Sequence, residues 1–285
     1  MRRTELTAAV FFTYAMVWSW ILPVTDEIRW RMAVVNLAII TAAALARRLP
    51  QNDAVLVVRD WAPAALILLS YKEMGWLAVP QTSFAFENYW VQWDRRLLTD
   101  WHWKAAIELL GPVIPGFLEL CYLMVYLVVP GALAAVYWHG RHQHIEKLTL
   151  PLFIACLCTY GLFPFFPSDT PRRVFPTDLL PIMTIVREIN LWLCEGQGIH
   201  TSVFPSGHVS SAIACAFGVR RAIPGARLTF WGFIILAAGI FLATIYGRYH
   251  YAIDSLAGAA VAATILLLTR EAAANGVPSL PSRER

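Results

Sequence analysis

Charge is what this chain has least of. Asp, Glu, Lys and Arg make up 15% of its 285 residues, against 58% hydrophobic, and the mean hydropathy is positive at +0.54. That balance excludes an ordinary soluble domain and fits a polytopic membrane protein. The formal net charge of +4 is too small and too scattered to argue for a nucleic-acid partner. Cysteine is scarce as well. Its five copies are an odd count, Cys121, Cys156, Cys158 and Cys215 lie in apolar runs, and Cys156-x-Cys158 is not a common zinc spacing. Buried, unreactive thiols are expected there, with no metal and no other cofactor called for. The first apolar run ends in Trp18-Ser19-Trp20-Ile21-Leu22-Pro23 without a small-residue cleavage site, so it reads as a retained span. No internal repeat and no second domain are visible.

Apolar length is present in quantity. Runs near 7–24, 32–46, 61–79, 105–138, 148–166, 205–219, 228–246 and 251–269 approach the ~20 residues that cross a bilayer. They predict an all-α, polytopic membrane bundle of about six to eight transmembrane helices, eight in the fullest reading. Twelve Trp and ten Tyr suit a chain with many water–lipid boundaries. The links read as polar at 26–31, 51–60 and 139–147. Residues 83–103 mix Phe84, Phe86, Tyr89, Trp90, Trp93, Trp101 and Trp103 with Glu87, Asp94, Arg95, Arg96 and Asp100, the composition of an interfacial amphipathic segment. Pro112, Pro115 and Pro130 are expected to kink or bound the fourth span. A loop over 168–204 carries a possible short helix at 178–194. Residues 1–270 form one integral membrane domain, with spans and the interfacial segment over 1–147 and a catalytic core over 148–270. The tail 271–285 reads as disordered.

Eight spans put both ends on one side. With Arg2, Arg3, Arg47, Arg48, Arg59, Arg141, Lys147, Arg220, Arg221, Arg227 and Arg270 cytoplasmic, the loops around 172, 208 and 250 fall outside, on the extracytoplasmic face of a plasma (inner) membrane. Whatever the orientation, Arg172, His208 and His250 share one face, although 78 residues separate the first from the last.

Two stretches on that face carry chemistry: Phe204-Pro205-Ser206-Gly207-His208 and Gly247 to Asp254. Pro205-Ser206-Gly207-His208 reads as a loop opening a helix, whose N–H groups and dipole favour an anion. Gly207 lets the backbone approach closely, and Ser206 caps the helix. Asp254 follows His250 by four residues and shares its helical face. His250 can attack phosphorus if Asp254 holds its other ring nitrogen, His208 can supply a proton, and Arg172, Arg173 and Arg248 can neutralise a phosphate. The expected substrate is a lipid phosphate, with water or an alcohol as acceptor and the bilayer as the only other partner.

At these residues the chain resembles the phosphatidic acid phosphatase type 2 superfamily, whose pattern has an Arg-bearing loop, then Pro-Ser-Gly-His, then a His four residues before an Asp. It is most similar to the branch of inositol-phosphorylceramide synthases and inositolphosphotransferase-like membrane proteins, where the last motif reads as Tyr249-His250-Tyr251-x-x-Asp254 does. The resemblance covers about 148–269. It implies a phosphohistidine at His250, leaving-group protonation by His208 and orientation of the nucleophile by Asp254. Two departures stand out. The phosphatase pattern has Lys seven residues before its first Arg, where Phe165 or Phe166 stands, and an Arg six residues before the nucleophilic His, where Thr244 stands. Both favour the transferase-like branch, with Arg248 as a stand-in.

Plainer roles are expected elsewhere. His200 reads as a solvated loop residue, His139, His142 and His144 as a polar loop rather than a metal site, and the aromatic stripe near 84–103 as an anchor. Lys72, Glu73 and Glu119 interrupt apolar stretches, where ionisable groups are candidates for either function or structural pairing. The rival reading from another class is a non-catalytic phospholipid-binding protein or transporter.

Overall fold

The structure, a computed structural model, describes residues 1–50, 52–79, 85–197, 199 and 203–274, without the side chains of 85, 86, 197 and 271–274. The expectations for Phe84, His200 and the tail from 275 onward lie outside the described residues, as does the side chain of Phe86. The fold is all-α. In chain order the helices are α1 Arg3–Ile21, α2 Asp26–Leu45, α3 Asp53–Leu77, α4 Ala85–Arg95, α5 Trp103–Glu108, α6 Val113–Leu123, α7 Val125–Trp138, α8 Glu146–Gly161, α9 Pro171–Val174, α10 Ile185–Gln197, α11 Gly207–Ala222, α12 Arg227–Tyr246 and α13 Ala252–Ala274. Polar residues start several of them: Thr25 and Asn52 cap α2 and α3 by accepting the Ile28 and Val55 N–H groups.

Among the described residues, five helical stretches are long and apolar enough to cross a membrane: Asp26–Arg48, Asp53–Leu77, Glu146–Phe165, Arg227–Tyr246 and Ala252–Arg270. A sixth is the pair α6 and α7, bent by 60°. That bend falls at Met124, between Pro115 and Pro130 rather than at either. Two of the eight expected spans, α1 and α11, do not meet that length and composition, and for α11 the reason is its position. It has 16 residues, many small or polar (Ser210, Ser211, Ala212, Ala214, Gly218), and packs on α7, α8, α12 and α13. A helix surrounded by other helices needs close approach more than lipid-facing bulk. A Cβ on Gly218 would lie 2.6 Å from the Leu148 side chain. The links expected at 26–31 and 51–60 are helical from Asp26 and from Asp53, as the first turns of α2 and α3. The helix expected at 178–194 begins at Ile185.

Ion pairs gather one end of the bundle. Arg2 pairs with Asp60 at 2.5 Å, Arg59 with Glu5 at 2.6 Å, and the Tyr137 hydroxyl donates to Asp60 at 2.6 Å. The Arg3 N–H donates to Glu146, and Arg221 donates to Thr269. The starts of α1 and α8, the first turns of α3 and the ends of α7, α11 and α13 therefore lie together, opposite the end that carries His208 and His250. Among the cysteines Cys121, Cys156, Cys194 and Cys215 are buried, whereas Cys158 is exposed. Two residues along a helix turn the side chain to the other face, which is why Cys158 departs from the buried expectation.

A close crossing joins the starts of α11 and α13. The Ser206 N–H donates to the Asp254 carbonyl at 2.9 Å, and a Cβ on Gly258 would sit 2.3 Å from the Ser206 carbonyl oxygen. Gly258→Ala therefore forces the two helices apart, and its thermal unfolding in detergent is expected to show a loss of about 1–3 kcal/mol. Gly131→Ala on α7, where a Cβ meets nothing within 4 Å, is expected to be neutral or slightly stabilising.

Candidate active site

The site is built from the starts of two helices. Ser206 is the N-cap of α11, its hydroxyl accepting the Val209 N–H, and His208 is the second residue of the helix. Gly207 is dictated by packing, since a Cβ there would fall 2.4 Å from the Tyr160 ring of α8. The second start follows α12. The N–H groups of Tyr249 and His250 both donate to the Thr244 carbonyl, and Arg248 takes a left-handed backbone with φ of 59° to turn the chain. Asp254 then reaches back to accept the Tyr251 N–H at 2.9 Å, the return half of a capping box at the start of α13.

These turns place the two imidazoles with ring centroids 5.4 Å apart and planes at 81°. His250 Nδ1 lies 2.9 Å from the Val203 carbonyl oxygen and 3.4 Å from Asp254 Oδ2. A proton on Nδ1 donates to that carbonyl and leaves the Nε2 lone pair free. The nearer partner of the ring is thus a backbone oxygen that motif reasoning did not name. Asp254, fully buried, is shared between the ring, the Tyr251 N–H and, through its own carbonyl, Ser206.

Four of the expected residues, Arg172, Gly207, His208 and His250, line one cavity of about 520 Å³. Arg172 is held at its rim by a backbone bond from its N–H to the Arg248 carbonyl at 3.0 Å. Arg173 is exposed on α9 and is not among the residues lining the cavity. Nor is Arg248, which is fully buried, pairs with Asp94 of α4 at 3.2 Å and stacks over Phe175 at 3.8 Å. Asp94 also accepts the Ala252 N–H at 2.8 Å. Burial raises its carboxyl, against the pull of that N–H and of the Arg248 guanidinium.

The stripe expected as a plain interfacial anchor therefore also braces the site. In α4, Glu87 accepts the Asp169 N–H and the Tyr251 hydroxyl, and Trp90 stacks on Phe204. The opposite flank is braced by a second buried network that the motifs do not announce. Glu119 of α6 pairs with Arg187 of α10 at 2.7 Å and accepts from Asn190 and the Tyr249 hydroxyl. Tyr249 stacks on Tyr122 at 3.6 Å, and the Tyr122 hydroxyl lies 3.4 Å from His208 Nε2. Glu119 thus pairs for structure, while Glu73 is fully buried on α3. Asp94 and Glu119 did carry a signal: each is an acid set among aromatic or apolar residues.

Burial, aided by Arg172 and opposed by the Val203 carbonyl, lowers the pKa of His250 to about 3. An unfolded imidazole takes up its proton near 6.5. Between those values the unfolded state holds the extra proton, so stability falls as pH drops from 6.5 toward 3. Melting temperature followed across that range is expected to decline less steeply in His250→Asn than in the wild type.

The family model of the PAP2 superfamily matches residues 89–268, beginning within α4 rather than at α8. No curated protein and no solved structure matches the chain. A match over more than half of its length, on an all-α membrane bundle, means that the chain belongs to the PAP2 superfamily.

Proposed function

We propose that this protein is a membrane phosphatase or phosphotransferase that acts on a lipid phosphate through a phosphoenzyme at His250. The observation that carries the reading is the pair of imidazoles, 5.4 Å apart at the polar end of a cavity, with Nδ1 of His250 tied to a carbonyl.

In the first step His250 Nε2 attacks phosphorus, the bond from phosphorus to the lipid oxygen breaks, and His208 gives its proton to that oxygen. Arg172 and the first N–H groups of α11, which have no intrahelical acceptor, face the charge on the phosphoryl oxygens. In the second step water or an alcohol attacks phosphorus, the phosphorus–nitrogen bond breaks, and the incoming oxygen passes its proton to His208. Asp254 stabilises the cationic ring of phospho-His250. Arg248 and Arg173 act at a distance from the cavity, Arg248 by holding the loop that presents His250.

One observation favours an alcohol acceptor, in the manner of the inositol-phosphorylceramide synthase branch. Thr244 stands where the phosphatase pattern has an Arg, and its hydroxyl is 2.9 Å from that of Ser255 in a fully buried pair. The Arg-rich end of the bundle supports an extracytoplasmic site, since short cytoplasmic links are rich in Lys and Arg.

The test uses sealed right-side-out vesicles containing the protein, with chelator present. Short-chain lipid phosphates, diphosphates and phosphoinositol lipids are added outside, with and without an alcohol, and free phosphate and new lipids are followed. Either product is expected, at a rate lower by about 10³-fold or more in His250→Ala and Asp254→Asn. Turnover that survives in His250→Ala sinks the mechanism. Turnover only after the vesicles are opened sinks the orientation, and a folded protein that binds these lipids without product favours the binding-protein rival.

A further inference from the structure

Building on the phosphate-site reading, we propose that the cavity behind the histidines is a ruler for the hydrocarbon chain of the substrate, with Trp61 as its floor. The cavity encloses about 520 Å³, within the range of pockets that enclose a small ligand. His208, His250 and Arg172 form its polar end. From there α3 supplies one wall with Tyr71, Leu68, Ala65, Ala64 and Trp61, spaced so that they share one helical face. The facing wall is Val125, Tyr126, Val129 and Pro130 of α7. The stretch of α3 from Tyr71 to Trp61 rises about 15 Å, far more depth than a phosphate occupies.

The cavity also opens sideways. Leu68 and Tyr126 line it and keep 68% and 41% of their surface accessible. Between them the two helices make little contact, because α3 packs chiefly on α8 and α7 on α11. A chain can therefore slip in from the lipid while its phosphate reaches the imidazoles. At mid-depth Ala64 and Ala65 leave the space open. At the far end the Trp61 ring leans on Tyr137, with centroids 6.4 Å apart, and beyond it Asp60 is bonded to Tyr137 and Arg2. A chain that overruns Trp61 meets charge. The whole of α3 precedes residue 89, outside the matched family segment, so the ruler belongs to the N-terminal half of this chain.

Non-hydrolysable alkylphosphonates of stepped chain length, titrated into the purified full chain, test this through the rise in melting temperature. For the wild type, apparent affinity is expected to peak at one chain length and to fall about tenfold for chains that overrun it. Trp61→Ala is expected to move the peak to longer chains, and the double variant Ala64→Leu, Ala65→Leu to shorter ones. A peak that stays at the same length in either variant, or affinity that climbs with chain length without a peak, overturns the proposal. Because the shifts run in opposite directions, damage to folding cannot imitate them, and each variant decides the question without the other. Phosphonate binding needs no turnover, so a movable peak in a protein that yields neither free phosphate nor a new lipid would count against the catalytic reading alone.

Discussion

The site depends on one backbone hydrogen bond, from the Ser206 N–H to the Asp254 carbonyl. It joins the first turns of α11 and α13, two helices that leave the same end of the bundle. With Gly258 allowing the backbones to touch, that bond fixes the depth of both helix starts. His208 stands just inside one start and His250 just before the other, so their separation follows from the crossing. The imidazoles need no direct bond between them to be held at 5.4 Å.

Around that crossing the chain keeps two ion pairs out of water, Arg248 with Asp94 and Arg187 with Glu119. Buried pairs are weak sources of stability, because desolvation offsets most of the attraction, but removing one partner leaves a stranded charge. Here each pair reaches between distant parts of the sequence: α4 to the loop before α13, and α6 to α10 and the Gly247 carbonyl. Their effect is to fix where the His250 loop sits between two flanks. Elements that motif searches treat as peripheral thereby set the geometry of the two imidazoles.

Much of this was legible in the sequence. Apolar run length gave the membrane bundle, and the spacing of Pro205 to His208 and of His250 to Asp254 gave the two helix starts and their common face. The reading failed where tertiary packing decides. The apolarity of α11 could not show that it is encircled by other helices, and nothing local marked Asp94 as the partner of Arg248, 154 residues away. Arg248 is a candidate for phosphate contact on charge alone; the structure shows it buried over Phe175 and paired with Asp94, away from the cavity lining. The Val203 carbonyl, closest partner of the His250 ring, has no sequence signal because any residue supplies one. The match to the family likewise reaches back to residue 89, into a stretch whose aromatic composition spoke only of the interface.

On the proposed mechanism His250 bears the phosphoryl group. Its most direct test is rapid quenching of the protein during turnover of a lipid phosphate labelled on phosphorus, followed by mapping of the label. Label is expected on the peptide containing residue 250, stable to alkali, lost in acid, and absent from His250→Gln. Turnover at a normal rate with no label on that residue, or label that persists in His250→Gln, would contradict it.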